Sequence, residues 1–201
     1  TIGTSYGVQR SITTLAALPD VTTTAISSVT DNSALTGGNV TFDGGDSVLV
    51  KGIVWSTSPN PTTADNKTED GSDTGSFSSS ISGLDPSIVY YVRAYATNSV
   101  GTAYGEQRSF TTGARLATVT TASAAAITDT SATSGGNVTF DGGDSITARG
   151  IVWSTISGPT LADNVTIDSS GTGVFESALT NLDPVTTYYI RAYATNSVGT
   201  A

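Results

Sequence analysis

The chain contains no cysteine, no histidine and no methionine. Without thiols no disulfide framework can form, and without thiols or imidazoles the usual zinc sites are excluded. Histidine-centred triads and histidine acid–base catalysis fall with them. Basic side chains are also scarce: 8 Lys and Arg stand against 17 Asp and Glu, a formal charge of −9. Affinity for nucleic acid rests on Lys and Arg neutralising phosphates, so no nucleic-acid partner is expected. Apolar residues make up 37% of the chain and come only in short runs. None would cross about 30 Å of hydrocarbon as a helix, so no membrane insertion is expected. A basic segment followed by an apolar one, the mark of a signal peptide, is not visible either. No P-loop, GxGxxG or paired catalytic carboxylates can be argued, so no enzyme and no cofactor is expected.

What is abundant is hydroxyl: 36 Thr and 27 Ser make 63 of 201 residues. Thr, Val, Ile and Tyr suit a pleated, half-buried surface. No stretch of about 12 residues carries a 3.6-residue apolar period, so the expected class is all-β.

A repeat sets the organisation. Residues 1–103 pair without a gap with residues 99–201, an offset of 98, and 63 of the 103 pairs are identical. GGNVTFDGGDS at 37–47 recurs at 135–145, GIVWST at 52–57 recurs at 150–155, and RAYATNSVGTA at 93–103 recurs at 191–201. A period this long fits an independent domain rather than a solenoid unit. Residues 1–14 match 99–112, which gives the expected division. Residues 1–14 are read as the terminal strand of a preceding module, 18–112 as a complete module, and 116–201 as a second module lacking its last strand. A window cut from a longer array would look this way, and an internal segment would lack Met.

Within the first module strand signals fall at 21–26, 33–42, 48–57, 75–81, 90–97 and 102–111, with turns at 43–46 and 98–101 and a polar connection at 58–73. Short strands at this spacing are the profile of a β-sandwich.

The segment LDPSIVYYVRAYATNSVGTAYG (84–105), repeated at 182–201, resembles fibronectin type III domains. That resemblance implies tandem seven-stranded Ig-like sandwiches, with Tyr90 and Tyr188 as corner tyrosines. SGGNVTFDGG…RGIVWST and the Pro-Asn-Pro-Thr at 59–62 are similar to modules of large secreted and surface proteins of Bacteroidetes-type bacteria. The resemblance places the protein outside the cell or on its surface. Trp55 and Trp153 sit on the third strand, whereas the wider family commonly has a tryptophan on the second.

Period-two alternation assigns faces along a strand. On the third strand Val48, Val50, Gly52 and Val54 form one set, and Leu49, Lys51, Ile53 and Trp55 the other. Basic residues fall in the second set in both copies, which places that set outside. On 90–97, Tyr90, Val92, Ala94 and Ala96 are expected inward and Tyr91, Arg93 and Tyr95 outward. The outer face would then join Lys51 and Trp55 to Tyr91, Arg93 and Tyr95, and Arg149 and Trp153 to Tyr189, Arg191 and Tyr193. Such a row is either a cross-strand ladder, an interface with a neighbouring module, or a platform for sugars.

Asp43 and Asp46, with Asp141 and Asp144, flank Gly-Gly turns; the spacing suits either a tight turn or part of a calcium site, and the turn is the expectation. Asp65, Glu69, Asp70 and Asp73 make a second acidic cluster, read as a solvated loop. Asp-Ser-apolar at 46–48 and 144–146 resembles an O-glycan acceptor pattern of Bacteroidetes-type secreted proteins, which would modify Ser47 and Ser145. The expected function is a structural stalk, fibre or adhesin segment whose partners are neighbouring copies or modules, joined head to tail if residues 1–14 are donated as a strand. The alternative is a carbohydrate-binding or spacer module of a secreted glycoside hydrolase, with surface glycans as partners.

Overall fold

The structure, a computed structural model, describes residues 2–201. Runs of Thr, Val and Tyr broken by Gly-, Asp- and Asn-rich turns form strands throughout, and no helix occurs among the described residues. The first series is β1 (Asp20–Thr23), β2 (Ser33–Phe42), β3 (Val50–Ser56), β4 (Asn66–Lys67), β5 (Gly75–Ser82), β6 (Val89–Thr97), β7 (Thr102–Tyr104) and β8 (Arg108–Thr111). Its sheets run β1-β2-β5 and β4-β3-β6, with β7 and β8 both paired to β6. The second series is β9 (Thr118–Thr121), β10 (Ser131–Phe140), β11 (Ala148–Ser154), β12 (Asn164–Val165), β13 (Gly173–Thr180) and β14 (Tyr189–Thr195). Its sheets run β9-β10-β13 and β12-β11-β14. This is the expected all-β, fibronectin type III-like sandwich. The short strand β4 was hidden in the polar connection, and the 102–111 strand is split in two.

The chain divides into two compact units: Thr1–Ser27, Leu35–Ile81 and Tyr90–Phe110, and Ser28–Ala34, Ser82–Val89 and Thr111–Ala201. In the second unit Ala132, Val138, Phe175 and Leu179 of one sheet pack against Ile151, Trp153, Ala192 and Ala194 of the other. In the first, Val40 packs with Val48 and Ala96, flanked by Val21 and Phe77. Burying an aliphatic or aromatic side chain of this size contributes about 1.5–3 kcal/mol. Gly38 makes room for it: a Cβ there would stand 2.6 Å from Ala94 Cβ and 2.8 Å from the Phe77 ring. Residues 2–16 form no strand, and residues 2–18 are all exposed.

The chain slips by one residue as it enters β3. Leu49 N–H donates to Thr97 O at 2.7 Å, yet Val50 is the register partner of Thr97. Two residues facing one make a β-bulge, which turns the following side chains over. Val48 therefore lies in the core, and so do the residues three and five further on. Lys51 is 2% exposed and Ile53 0%. The second unit repeats the slip, with Thr147 and Ala148 both facing Thr195. There Ile151 and Trp153 belong to the core. The expected outward placement of Lys51, Trp55, Arg149 and Trp153 is thus reversed.

Candidate functional site

The outer face of the β3–β6 sheet carries Gly52, Val54, Arg93 and Tyr95, and the connection after β3 covers it. Pro61 in that connection is fully buried. Tyr95 is 1% exposed and donates its hydroxyl to Thr68 O at 2.7 Å. Thr63 N–H donates to Tyr104 Oη at 3.0 Å, and the Arg93 guanidinium lies 4.6 Å over the Tyr104 ring. Asn60 N–H donates to Gln107 Oε1. Gly52 permits this cover, because a Cβ there would meet Thr68 O at 2.2 Å. Burial, reinforced by the nearby Glu69 and Asp70 carboxylates, pushes the Tyr95 phenol up to about 12.

Lys51 and Arg149 instead pack at the rim of the core. Lys51 Nζ lies 2.8 Å from Asp73 Oδ1 and 5.3 Å over the Phe77 ring. Arg149 Nη1 donates to the carbonyls of Gly171, Thr172 and Gly173 at 2.8–3.2 Å, with its guanidinium 5.2 Å over Phe175. Each long stem fills apolar space while its head reaches polar atoms. Lys51 and Trp55 are therefore on the opposite face from Tyr91, Arg93 and Tyr95, and no single aromatic row joins them. In the second unit Tyr193 is 5% exposed and donates to Thr166 O at 2.7 Å, while Tyr189 and Arg191 remain exposed.

The Asp-Gly-Gly-Asp loops use their carboxylates internally. Asp43 Oδ1 accepts from Gly45 N–H at 2.8 Å. Asp46 accepts from Ser47 N–H at 2.9 Å and Ser99 N–H at 3.1 Å. Hydrogen bonds from Ser99, then Ser47, hold the Asp46 carboxyl below its ordinary value. Asp141 and Asp144 repeat these bonds, and Ser197 and Ser145 lower Asp144 in the same way. A buried asparagine pins the loop further. Asn98 Nδ2 donates to Ala17 O at 2.6 Å and Asp43 O at 2.9 Å, while its Oδ1 accepts from Val100 and Gly101 N–H. Asn196 does the same with Arg115 O and Asp141 O. Ser47 and Ser145 are exposed.

The other acidic cluster is also dispersed. Asp65 accepts from Thr62 N–H at 2.8 Å, Asp70 from Thr68 Oγ1 at 2.7 Å, and Asp73 pairs with Lys51. Among the described residues no group of three or more acidic side chains converges where a cation would sit. Thr68 Oγ1 also accepts from Ile53 N–H at 2.9 Å and from Ser79 Oγ at 2.8 Å. Thr166, Asp168 and Ser177 rebuild that network in the second unit.

No known family profile matches the chain, and no curated protein matches it. Among solved structures it is similar to a two-domain fibronectin type III segment from chicken tenascin, at 15% identity and a TM-score of 0.42, over 91% of this chain and 94% of that one. It is also similar to the sensor domain of the anti-sigma factor RsgI4 of Pseudobacteroides cellulosolvens, at 18% identity and a TM-score of 0.38, over 49% of this chain and 98% of that one. The fold assignment itself rests on the strand order and pairing described above.

Proposed function

We propose that this chain is a non-catalytic structural segment of an extracellular stalk, fibre or adhesin, of the kind found in large secreted or surface repeat proteins. The observation that carries the reading is what the two copies have in common. Among the polar side chains they share are those that fasten loops to strands: Asn98 and Asn196, Asp46 and Asp144, Thr68 and Thr166, Tyr95 and Tyr193. A repeated shape held the same way twice serves spacing and load better than chemistry. A net charge of −9 favours solubility of such modules. Its partners on this reading are other copies or modules of the same protein.

Two measurements test it. Antibodies against the chain should label intact cells of its source; labelling only after permeabilisation would defeat the extracellular reading. Pulling single molecules should give discrete unfolding peaks at separate extensions, and a panel of polysaccharides should be neither bound nor cleaved. Saturable sugar binding or turnover would defeat the structural one.

A further inference from the structure

The second compact unit is larger than the second repeat. It takes in residues 28–34 and 82–89, which the 98-residue period assigns to the first repeat. The connection at 112–115 is fastened to both segments. Gly113 N–H donates to Thr30 O at 2.9 Å, and Gly113 O accepts from Ser87 N–H at 3.1 Å. Thr112, 3% exposed, donates its hydroxyl to Asp85 O at 2.6 Å and accepts from Ile88 N–H at 2.9 Å.

Two residues on, the same connection is tied to the second repeat. Arg115 N–H donates to Gly142 O at 2.9 Å, and Arg115 O accepts from Asn196 Nδ2 at 2.7 Å. Its guanidinium lies 4.9 Å over the Phe140 ring. The turn that receives Arg115 rests on the 82–89 segment. A Cβ on Gly143 would stand 2.8 Å from Ser87 Oγ, 2.9 Å from Ser87 Cβ and 3.0 Å from Pro86 O. Gly45, the repeat partner of Gly143, has nearly the same backbone, φ 78° against 82°, yet nothing stands within 4 Å of its Cβ position. Ser87 is itself held at φ 57°, a region uncommon for residues other than glycine.

We propose that Pro86 and Ser87 form a seat for the Gly142–Gly143 turn, and that this seat locks the 112–115 connection. With the turn seated, Gly142 O and Asn196 hold Arg115 from one side, while Thr112 and Gly113 are held from the other. Ala114 is left to absorb any bend. The fit requires glycine at 143, because a side chain there would push loop and turn apart, and both members of the pair already occupy left-handed backbone. A loop of the first repeat is thereby a working part of the second unit, and the connection is a clasp rather than a tether. This goes beyond the structural reading above and does not rest on it, since a spacer of any kind would use the same restraint.

The test uses the 201-residue chain and its two matching glycines. Gly143→Ala and Gly45→Ala carry the same left-handed backbone cost, so the difference between them reads the seat. Gly143→Ala should melt about 3 °C or more below Gly45→Ala. Ser87→Gly suits φ 57° and clears the clash, so it should restore most of that difference in the Gly143→Ala background. Trypsin should cut the native chain after Arg115 about tenfold faster in Gly143→Ala than in Gly45→Ala, with cleavage after Arg149, inside β11, rising less. Equal melting of the two glycine variants overturns the proposal, and so does a Gly143→Ala loss that Ser87→Gly leaves in place. Cleavage that rises equally at Arg115 and Arg149 also overturns it, because the whole unit is then opening. Should Gly143→Ala not fold, the double variant with Ser87→Gly should; its failure beside a folded Gly45→Ala overturns the proposal too. None of these results touches cell-surface labelling or sugar binding, so the structural reading stands or falls separately.

Discussion

Lys51 Nζ and Asp73 Oδ1 lie 2.8 Å apart, with the lysine side chain 3% exposed and the aspartate 80% exposed. The pair bridges core and solvent: the aliphatic stem belongs to the interior, the charge to the rim. In the second unit Arg149 fills the same place but donates to backbone carbonyls instead.

That geometry ranks two substitutions. Lys51→Met keeps the stem against Phe77 and loses only the head contacts, so it should cost about 1 kcal/mol. Lys51→Ala opens a cavity as well and should cost about 2–4 kcal/mol. Urea denaturation of both variants checks the order; equal costs would mean that the ion pair, not the packing, holds the position.

Asn98 satisfies two carbonyls and two amides while 2% exposed. Asn98→Ala leaves those groups without that partner, at about 1–3 kcal/mol for each that water cannot reach. The expected outcome is a fall in stability of about 3 kcal/mol, with a matching fall for Asn196→Ala. Thermal melts of the two single variants and the double variant measure it.

Tyr95 links the cover to the sheet, and its phenol titrates at about 12. A phenol raised in the fold stays protonated there while the unfolded one, with a pKa near 10, ionises. Its contribution is therefore complete below about pH 10 and drains away as pH rises toward 12. Tyr95→Phe should lose about 1 kcal/mol at neutral pH and show a shallower alkaline decline. Unfolding midpoints between about pH 8 and 11.5 decide it.

Acid acts through the aspartates. Asp46 is lowered by Ser99, Asp73 by Lys51, Asp144 by Ser197 and Asp163 by Thr160. A lowered carboxyl contributes stability that is full above about pH 4 and is lost as pH falls through its folded value. Melting temperature should thus fall below about pH 4, and less steeply for the Asp46→Asn/Asp144→Asn pair. A profile unchanged by those two substitutions would show that their hydrogen bonds carry no linkage.

The amino-acid sequence by itself determined the number and order of the main strands, their turns and the repeat. Those follow from local signals: Thr and Val runs, Asp-Gly-Gly-Asp, Asn98 before Gly101. β2 matches its expected 33–42 span and β6 begins one residue before its expected start at 90. Tertiary structure decided which way β3 faces. Unbroken alternation from Val48 would put Lys51 and Trp55 outside, but pairing with Thr97 puts Leu49 and Val50 opposite one residue and inverts everything after them. A bulge is a property of two strands together, so one strand's pattern cannot announce it. The same holds for the cover over Tyr95, where a polar connection gains its order only from Gly52 and the tyrosine beneath it.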